Sequence, residues 1–324
     1  MLVIDKTATQ EALEFPILIE SLKTMFIRGC VVPPRHVHEI QAEPKGTALI
    51  MPAWTEDYFG IKTVNIFPQN SSRGLPGLFS AYTLFSARTG ELLAQMDGNV
   101  VTSRRTAAAS ALAASYVALR QSKKLLVVGA GRVGTLLPSA YRAVLDIQEV
   151  LVWDRNQAAA KNLVEELNDG GLRAHSSPDL ESLVGMADVV SCATLATRPV
   201  VKGKWLALDA HLDLIGSFTP EMREADDDAF VGAEIFVDTA EALEKSGELL
   251  RPIANGVFSP KDVAGTLAEL CRGSVLARQG VNRRTVFKSV GTALEDLAAA
   301  IQVYEYWKSK SEHCDARCAT VAAA

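Results

Sequence analysis

The sequence predicts an α/β protein of two domains, and three features of the chain support this. Residues 31–93 contain short β-type segments separated by turn residues. From Lys124 onward, apolar strands alternate with helices, an order that gives a parallel sheet covered on both faces. Between these regions, residues 105–120 are rich in alanine and predict a helix that links the two domains.

Composition excludes several classes of protein. The 324 residues suffice for two domains, and the net charge of −5 with no basic stripe gives no reason to expect nucleic acid as a partner. The sequence contains no apolar run of about 18 residues, so no membrane span is predicted, and the N-terminus does not resemble a signal peptide. A cytoplasmic protein without a disulfide framework is expected, because the cysteines are scattered and odd in number: Cys30, Cys192, Cys271, Cys314 and Cys318.

The first domain is predicted to be β-rich with flanking helices. Apolar residues at helical spacing predict a helix over residues 11–29, which Pro33 and Pro34 follow. Strands are predicted near 48–52, 60–67 and 78–86, with a loop over 70–77. After residue 285 a further helix is expected to return to this domain, and the tail from Ser309 is expected to be frayed.

The second domain is predicted from an alternation of strands and helices. Predicted strands fall near 124–129, 148–153, 187–193, 205–208, 211–216 and 234–237. Predicted helices fall near 132–145, 157–169 and 179–184. This order is typical of a doubly wound parallel sheet.

A glycine-rich turn predicts that this sheet belongs to a dinucleotide-binding Rossmann domain. The segment KLLVVGAGRVG places Gly129, Gly131 and Gly134 in G-x-G-x-x-G spacing, after an apolar strand and before a helix. Gly129 permits the tight turn, Gly131 lets backbone amides approach a pyrophosphate, and Gly134 allows close packing of helix on strand. The helix N-terminus adds partial positive charge for the phosphates.

The next strand ends in an acid followed by an arginine. Asp154 lies 20 positions after Gly134, where a carboxylate accepts hydrogen bonds from the adenosine ribose. Arg155 follows, and an arginine at this point can hold a 2′-phosphate. Asp154 favours NAD and Arg155 permits NADP, so the choice stays open.

Three cations stand out in the β-rich half because apolar or small residues surround them. They are Arg35 after a Pro-Pro pair, Lys62 in GIKTVNIFPQN, and Arg105 in TSRRTAAASALAA. A cluster of such cations suits a small carboxylate, which arginine can bind bidentately. Spacing alone favours solvated surface charges for each of them.

At this point the chain resembles the ornithine cyclodeaminase and mu-crystallin family over nearly its whole length. The resemblance is carried by PPRHVHEI, GIKTVNIFPQN, SRRTAAASALAA, VVGAGRVG, HLDLIGSFTPEMREAD and FKSVGTALEDLAAA. Within the family it looks most similar to the Δ1-pyrroline-2-carboxylate and Δ1-piperideine-2-carboxylate reductases, the ketimine reductases. The resemblance implies an NAD(P)H-dependent oxidoreductase of proline metabolism and a homodimer built through the β-rich domain.

Site residues follow from the resemblance together with the glycine motif. The substrate carboxylate is expected at Arg35, Lys62 and Arg105, with Val290 at the substrate. The predicted cofactor residues are Gly129, Ala130, Gly131, Arg132, Val133, Gly134, Asp154, Arg155, Thr194, Leu212, Asp213, Leu214, Ile215 and Ser289. The expected domains are a substrate-binding and dimerisation domain over 1–112, completed by 290–324, and a dinucleotide-binding domain over 113–289.

Two departures from the family bear on the activity. Phe218 stands where the cyclodeaminases carry a catalytic acid, so ammonia loss lacks its carboxylate, and an aromatic wall suits a flat cyclic imine. Gly77 replaces a threonine of some relatives and removes a possible hydroxyl contact. An amino-acid dehydrogenase, a cyclodeaminase and a non-catalytic binding protein like mu-crystallin remain the alternatives.

The expected chemistry is reduction of a cyclic C=N bond beside a carboxylate. The three cations fix the carboxylate, and the cofactor supplies hydride to the imine carbon. Because nearby positive charge disfavours a protonated imine, the proton must come from a local donor. Lys62 is the predicted catalytic donor, directly or through water.

Histidines and cysteines give weaker signals. His36 and His38 form an H-x-H pair on a predicted strand, but no third metal ligand with suitable spacing accompanies them, so no metal is expected. His313 with Cys314 and Cys318 in the tail predicts no zinc site either. His211 is consistent either with a ribose contact or with a buried structural role. The acidic run 226–228 predicts a solvated turn or helix face.

Overall fold

The computed structural model describes residues 1–41, 43, 45–278, 280 and 282–321, with the backbone alone at Gln41, Ser71 and 312–321. The chain divides into two compact units: Met1–Arg105 with Thr292–Ala324, and Thr106–Gly291. The sequence places these boundaries at 112/113 and 289/290. One long helix that begins before Arg105 contains the first boundary.

The first unit begins with short helices and continues into a sheet. Its elements are β1 (Leu2–Ile4), α1 (Lys6–Glu11), α2 (Phe15–Arg28), β2 (His36–Gln41), β3 (Gly46–Trp54), β4 (Tyr58–Ile66), β5 (Leu78–Ser86), β6 (Leu92–Asp97) and α3 (Gly98–Val117). Proline at the start of α2 suits the first helical turn, and Gly29 ends the helix with a positive φ of 76°.

The second unit alternates strands with short helices. Its elements are β7 (Lys124–Val128), α4 (Leu137–Arg142), β8 (Glu149–Trp153), α5 (Gln157–Asp169), β9 (Arg173–Ser176), α6 (Leu180–Met186), β10 (Val189–Cys192), β11 (His211–Leu214), β12 (Glu234–Val237), α7 (Ala242–Lys245), α8 (Gly247–Ala254), β13 (Val263–Thr266), α9 (Leu267–Arg272) and β14 (Thr285–Lys288). The chain ends in α10 (Ala293–Val321), which belongs to the first unit.

In the first unit the strands form one sheet in the order β1-β6-β5-β4-β3-β2. β1 pairs with β6 in parallel and the other neighbours are antiparallel. Helix α10 packs on α2 and lies against β3 and β4. Across the covered face, Met51, Lys62, Tyr82 and Met96 lie in one cross-strand row, and all four are buried. A lysine therefore lies in a row of otherwise uncharged side chains.

In the second unit all strands are parallel, in the order β13-β12-β14-β11-β10-β7-β8-β9. The chain winds from β7 outward through β8 and β9, then returns to β10 on the other side of β7. This reversal makes a crevice at the carboxyl ends of β7 and β10, where ligands of doubly wound sheets bind. The α/β prediction, with a Rossmann-type parallel sheet and a β-rich α+β unit, is confirmed.

Several predicted elements differ from the structure. The predicted strand 205–208 is wrong: Gly203–Trp205 is a 3-10 turn, and Leu208 is exposed. The predicted helix 132–145 is a 3-10 turn at Gly134–Leu136 followed by the six-residue α4. The tail expected to fray continues the backbone of α10 to Val321.

The predictions that the chain has no membrane span and no disulfide framework can be compared with the described residues only. Within them, no helix has both the length and the apolar character needed to cross a membrane. Among the described side chains, Cys30, Cys192 and Cys271 form no disulfide. Cys314 and Cys318, with His313, lie outside the described side chains.

Candidate functional site

The glycine turn after β7 has the geometry that a dinucleotide requires. Gly129 has a φ of +103°, and a Cβ there would lie 2.7 Å from the carbonyl oxygen of Ala193. A Cβ at Gly134 would lie 1.8 Å from the carbonyl oxygen of Gly129, so the chain packs directly on the turn. At Gly131 a Cβ would meet no atom within 4 Å. The turn therefore leaves open space beside the backbone at Gly131, where the sequence predicts the pyrophosphate.

Asp154 lies beside this turn at the end of β8. Its Oδ2 accepts a hydrogen bond from Ala130 N at 2.7 Å, and its Oδ1 accepts one from Asn156 N at 2.6 Å. Arg132 and Arg155 are exposed on either side, and Val133 is half-buried. The acid and both arginines thus lie in segments that meet at the turn, which leaves the choice between NAD and NADP open.

The later residues predicted to bind the cofactor, and Val290 predicted at the substrate, follow or belong to strands on the other side of β7. Thr194 follows β10, Ile215 follows β11, and Ser289 and Val290 follow β14. The side chains of Leu212, Asp213 and Leu214 are fully buried inside the sheet. Their assignment to the cofactor therefore rests on the resemblance alone, because no side-chain surface remains for a ligand.

Asp213 has a structural environment. Its carboxylate accepts hydrogen bonds from three hydroxyl groups: Ser110 Oγ at 3.1 Å, Tyr141 Oη at 2.9 Å and Ser191 Oγ at 2.5 Å. Burial raises the pKa of Asp213 to about 6, although these donors oppose the shift. This carboxylate ties β11 to the neighbouring strand β10 and to the helices α3 and α4.

A buried cluster of charges at the carboxyl edge was not predicted from the sequence. Glu224 Oε1 accepts from Thr194 N at 2.7 Å and from Thr194 Oγ1 at 2.8 Å, and its Oε2 accepts from Gly216 N at 2.6 Å. Glu248 accepts from the backbone amides of Glu224 and Ala225 at 2.6 and 2.9 Å. The carboxylates of this cluster therefore accept hydrogen bonds from backbone amides.

Asp238 and Lys288 complete this cluster. Asp238 accepts from the amides of Val290 and Gly291 at 2.7 and 2.6 Å, and Lys288 Nζ donates to the carbonyl oxygen of Leu214 at 2.8 Å. Burial raises the pKa of Glu224, Glu248 and Asp238, and the charge of Lys288 opposes each of these shifts. Burial lowers the pKa of Lys288. Glu224 lies close to the acidic run 226–228 in the sequence, so its buried role could not be distinguished from that of its acidic neighbours.

The acidic run itself is only partly solvated. Asp226 Oδ1 accepts from Gly203 N at 2.7 Å, and Asp227 accepts from Asn255 Nδ2 at 2.7 Å and pairs with Arg223. Asp228 is exposed. The predicted solvated turn or helix face is thus a 3-10 turn fixed by two of its three acids.

In the first unit, Lys62 and Arg105 meet at one carboxylate. Lys62 Nζ lies 2.6 Å from Asp296 Oδ2, and Arg105 Nε lies 2.9 Å from Asp296 Oδ1. Arg105 Nη1 also donates to Glu295 Oε2 at 2.6 Å. The surface placement that spacing alone favours is wrong for these two cations, because Lys62 is 2% and Arg105 6% exposed.

Burial and the charges of the neighbouring groups together set the pKa values in this cluster of Lys62, Arg105, Asp296 and Glu295. Burial, opposed mainly by Asp296, lowers the pKa of Lys62 to about 8. Burial opposes ionisation of Asp296 as well, but Lys62 and Arg105 hold its pKa below the usual value. Asp296 and Glu295 raise the pKa of Arg105 against the cost of its burial. Both acids lie in FKSVGTALEDLAAA, and sequence analysis missed their role because consecutive acids near a helix start are common.

Arg35 and Tyr82 flank Lys62 on the sheet. Arg35 is half-buried immediately before β2, and the register of β2 on β3, extended by one residue, places it opposite Met51, the partner of Lys62. Tyr82 pairs with Lys62 from β5 and is fully buried. Its hydroxyl has no hydrogen-bond partner among the described residues.

The histidines do not form a metal site in the described part of the chain. His36 and His38 are exposed, with stacked rings whose centroids are 6.3 Å apart, and no group of three potential ligands occurs among the described side chains. His211 is fully buried at the amino end of β11, and its Nδ1 lies 2.9 Å from Thr285 Oγ1. A ribose contact is excluded, because the glycine turn lies at the opposite edge of the sheet.

The two departures occupy different environments. Phe218 is 47% exposed in the segment after β11, so its ring offers apolar surface. Gly77 accepts a hydrogen bond from Phe67 N through its carbonyl oxygen, and a Cβ there would lie 3.6 Å from the Phe67 carbonyl oxygen. A larger residue would make an ordinary contact at this position, so Gly77 is not required by the backbone.

Together these observations define a two-unit α/β protein with a dinucleotide-type turn in one unit and, in the other, a buried pair of cations held by two acids. The model of the ornithine cyclodeaminase/mu-crystallin family matches residues 12–311, and the chain belongs to this family. The resemblance inferred from the sequence is confirmed.

Named relatives extend this finding. The chain is 36% identical to a Delta(1)-pyrroline-2-carboxylate reductase of Colwellia psychrerythraea, covering 94% of this chain and 99% of the relative. It matches the structure of Thermococcus litoralis Delta(1)-pyrroline-2-carboxylate reductase in complex with NADH and L-proline, with a TM-score of 0.91, 30% identity and coverage of 96% and 98%. An archaeal alanine dehydrogenase dimer with bound NAD gives a TM-score of 0.89, 31% identity and coverage of 96% and 97%.

Proposed function

We propose that this chain is an NAD(P)H-dependent ketimine reductase that reduces a cyclic imine carboxylate. The substrate is Δ1-pyrroline-2-carboxylate, which gives L-proline, or Δ1-piperideine-2-carboxylate, which gives L-pipecolate, or both. The observation that carries the proposal is the burial of Lys62 and Arg105 on shared acids in a chain whose other unit has the dinucleotide turn. The reductases among its relatives support the same reaction.

The second unit would hold the cofactor. Gly129, Gly131 and Gly134 receive the pyrophosphate, and Asp154 with Arg155 receives the adenosine ribose. Thr194, Ile215 and Ser289 follow the strands that continue the carboxyl edge. When bound, the cofactor supplies the hydride that reduces the imine carbon. The structure favours neither NADH nor NADPH.

The first unit would bind the substrate carboxylate through its cations. Lys62 and Arg105 are balanced by Asp296 and Glu295, so a bound carboxylate adds one negative charge that these four groups do not neutralise. Arg35 supplies the third cation in this proposal. Arg105 Nη2 takes part in neither of its two acid contacts, and the ammonium of Lys62 has three donors, of which Asp296 takes one.

Lys62 is also the proposed proton donor. Reduction of C=N adds a hydride to carbon and a proton to nitrogen. A lysine whose pKa is lowered to about 8 carries its proton at neutral pH and releases it more readily than an exposed lysine does. Asp296 holds the ammonium in place before the proton leaves, because its Oδ2 lies 2.6 Å from Nζ.

The test is a pair of substitutions read by two assays. Lys62→Ala and Arg105→Ala should each lower kcat/KM for the cyclic imines at least about 10²-fold, the loss typical of a buried charge contact, while NADH binding is retained. Lys23→Ala, a partly exposed lysine of α2, is the matched control. Loss of NADH binding in the Lys62 or Arg105 variant would mean that these residues belong to a different site.

Substrate and cofactor preference need a direct comparison. Rates with the five- and six-membered imines, each with NADH and NADPH, would assign both preferences in one experiment. Turnover of none of the four pairs, with cofactor still bound, would favour a binding protein over an enzyme.

A second candidate is an amino-acid dehydrogenase. The archaeal alanine dehydrogenase supports it, since a carboxylate-binding cation cluster serves that substrate equally well. The exposed ring of Phe218 favours a flat ring substrate instead. Comparing NAD⁺ reduction by L-alanine with NADH oxidation by the cyclic imine separates the two activities.

We also propose a homodimer formed through the first unit. β2 is an edge strand, and large apolar side chains on and near it are exposed, including Val31, Val37 and Ile40. A two-fold partner would cover such an edge. Light scattering should give twice the chain mass of 34.8 kDa; a monomer at micromolar concentration would contradict the proposal.

A further inference from the structure

Three donors converge on Glu224 at the carboxyl edge of the parallel sheet. They are the amide and hydroxyl of Thr194, which follows β10, and the amide of Gly216, which follows β11. Glu224 is fully buried, so it reaches no ligand itself. Its carboxylate instead joins the two segments that follow these neighbouring strands.

We propose that Glu224 positions the nicotinamide half of the dinucleotide site by fixing Thr194 and Gly216. This rests on the proposed function. In a doubly wound sheet the cofactor lies across the switch point, with one mononucleotide on each side. The glycine turn and Asp154 lie on the β7–β8 side and serve the adenosine half. The segments after β10 and β11 lie on the other side and serve the nicotinamide half.

The position of Thr194 links it directly to the glycine turn. A Cβ on Gly129 would lie 2.7 Å from the Ala193 carbonyl oxygen and 3.1 Å from Thr194 Cγ2. The segment that Glu224 holds therefore packs against the first glycine of the motif. Displacement of Thr194 alters the surface next to the turn on the nicotinamide side.

A carboxylate suits this role and an amide does not. All three groups that face Glu224 are donors, and a carboxylate offers two acceptor oxygens. In Glu224→Gln one of these oxygens becomes an NH₂ group, which must then face a backbone N–H. Glu248 holds the backbone amide of Glu224 at 2.6 Å, and although the charge of Glu248 repels the Glu224 carboxylate, the charge of Lys288 attracts it.

The experiment compares two ligands on purified protein. NADH probes the whole cofactor site, and ADP-ribose, which lacks nicotinamide, probes the adenosine half. Glu224→Gln should raise the Kd for NADH at least about tenfold, the effect of losing a charge-assisted hydrogen bond, and change the Kd for ADP-ribose less than about twofold. Glu221→Gln, an exposed glutamate three residues away, should change neither.

Each outcome has a defined meaning. An equal loss of affinity for both ligands, or no loss for either, overturns the role of Glu224. If Glu224→Gln does not fold, Thr194→Val, which removes only the hydroxyl contact, must show the same selective loss. Wild-type protein that binds neither ligand overturns the proposed function and this inference with it, whereas wild-type binding with an unselective variant overturns the inference alone.

Discussion

The two units each bury a cluster of charges, but the clusters differ in balance. In the first unit, two cations, Lys62 and Arg105, face two acids, Asp296 and Glu295. In the second unit, Lys288 is surrounded by Glu224, Glu248 and Asp238. The pKa of Asp296 is lowered in the balanced cluster, whereas burial raises the pKa of the three acids around Lys288.

This difference separates two uses of buried charge. In the balanced cluster the cations stay charged and retain N–H donors, so an anionic substrate can still bind there. In the acid-rich cluster the carboxylates are occupied by backbone amides, and an added anion would be repelled. The first cluster thus suits ligand binding, and the second suits the fixing of loops.

The largest expected effect tests the acid-rich cluster. Lys288→Met removes the buried cation that lies near these three acids and donates to the Leu214 carbonyl oxygen, and the uncompensated buried charge that remains should cost about 3–5 kcal/mol of unfolding free energy. Urea denaturation measures this. Lys245→Met, which removes a partly exposed lysine paired with Glu241, should cost less than about 1 kcal/mol. A loss for Lys288→Met as small as for the control would mean that the acids are neutral in the folded protein.

A buried histidine outside both clusters sharpens the comparison, because no acid among the described residues contacts it. Burial, with a contribution from Arg278, lowers the pKa of His211 to about 3 from the usual 6.5. The unfolded chain therefore binds more protons below pH 6.5, so stability is present above that pH and is lost as pH falls toward 3. The slope from this residue is about 1.4 kcal/mol per pH unit.

Comparison of wild type with His211→Gln isolates that slope. The variant should lose this part of the pH dependence between pH 6 and pH 4.5, measured as urea midpoints at each pH. The imidazole lies 2.9 Å from Thr285 Oγ1, so the variant is also expected to be less stable at pH 8. Parallel stability curves for the two proteins would show that His211 titrates normally when folded.

A smaller effect tests whether Asp296 sets the protonation of Lys62. In the proposed mechanism Lys62 must be protonated to bind the carboxylate and to donate, so wild-type kcat/KM should fall above about pH 8. Asp296 raises the pKa of Lys62, so Asp296→Asn should move this alkaline limb to lower pH by at least about one unit. Glu295→Gln is the matched control, since Glu295 bonds Arg105 and affects Lys62 less. An alkaline limb at the same pH in all three proteins would assign the proton to another group.

Sequence analysis found the parts of the molecule that depend on local pattern. The glycine turn, the strand before it and helix α5 at 157–169 follow from spacing and apolar runs. The strands β9, β13 and β14 were not predicted, because polar or small residues interrupt any apolar run in RAHS, VAGT and TVFK. Asp296, Glu224 and Lys288 could not be found in this way, because their roles depend on partners that lie 30 to more than 200 residues away along the chain.

The smallest expected effect concerns the uncharged neighbour of Lys62. Tyr82 Oη is buried without a hydrogen-bond partner among the described residues, and a Cβ on Gly60 would lie 2.0 Å from it. Tyr82→Phe removes a hydroxyl that gains no bond in the folded protein, so stability should change by less than about 1 kcal/mol or increase. Gly60→Ala should destabilise the protein, because the new methyl group overlaps the hydroxyl. The double variant should recover most of that loss. Additive effects in urea denaturation would show that Gly60 is needed for a reason other than room for Tyr82, and a large loss in Tyr82→Phe alone would show that the hydroxyl is bound in solution.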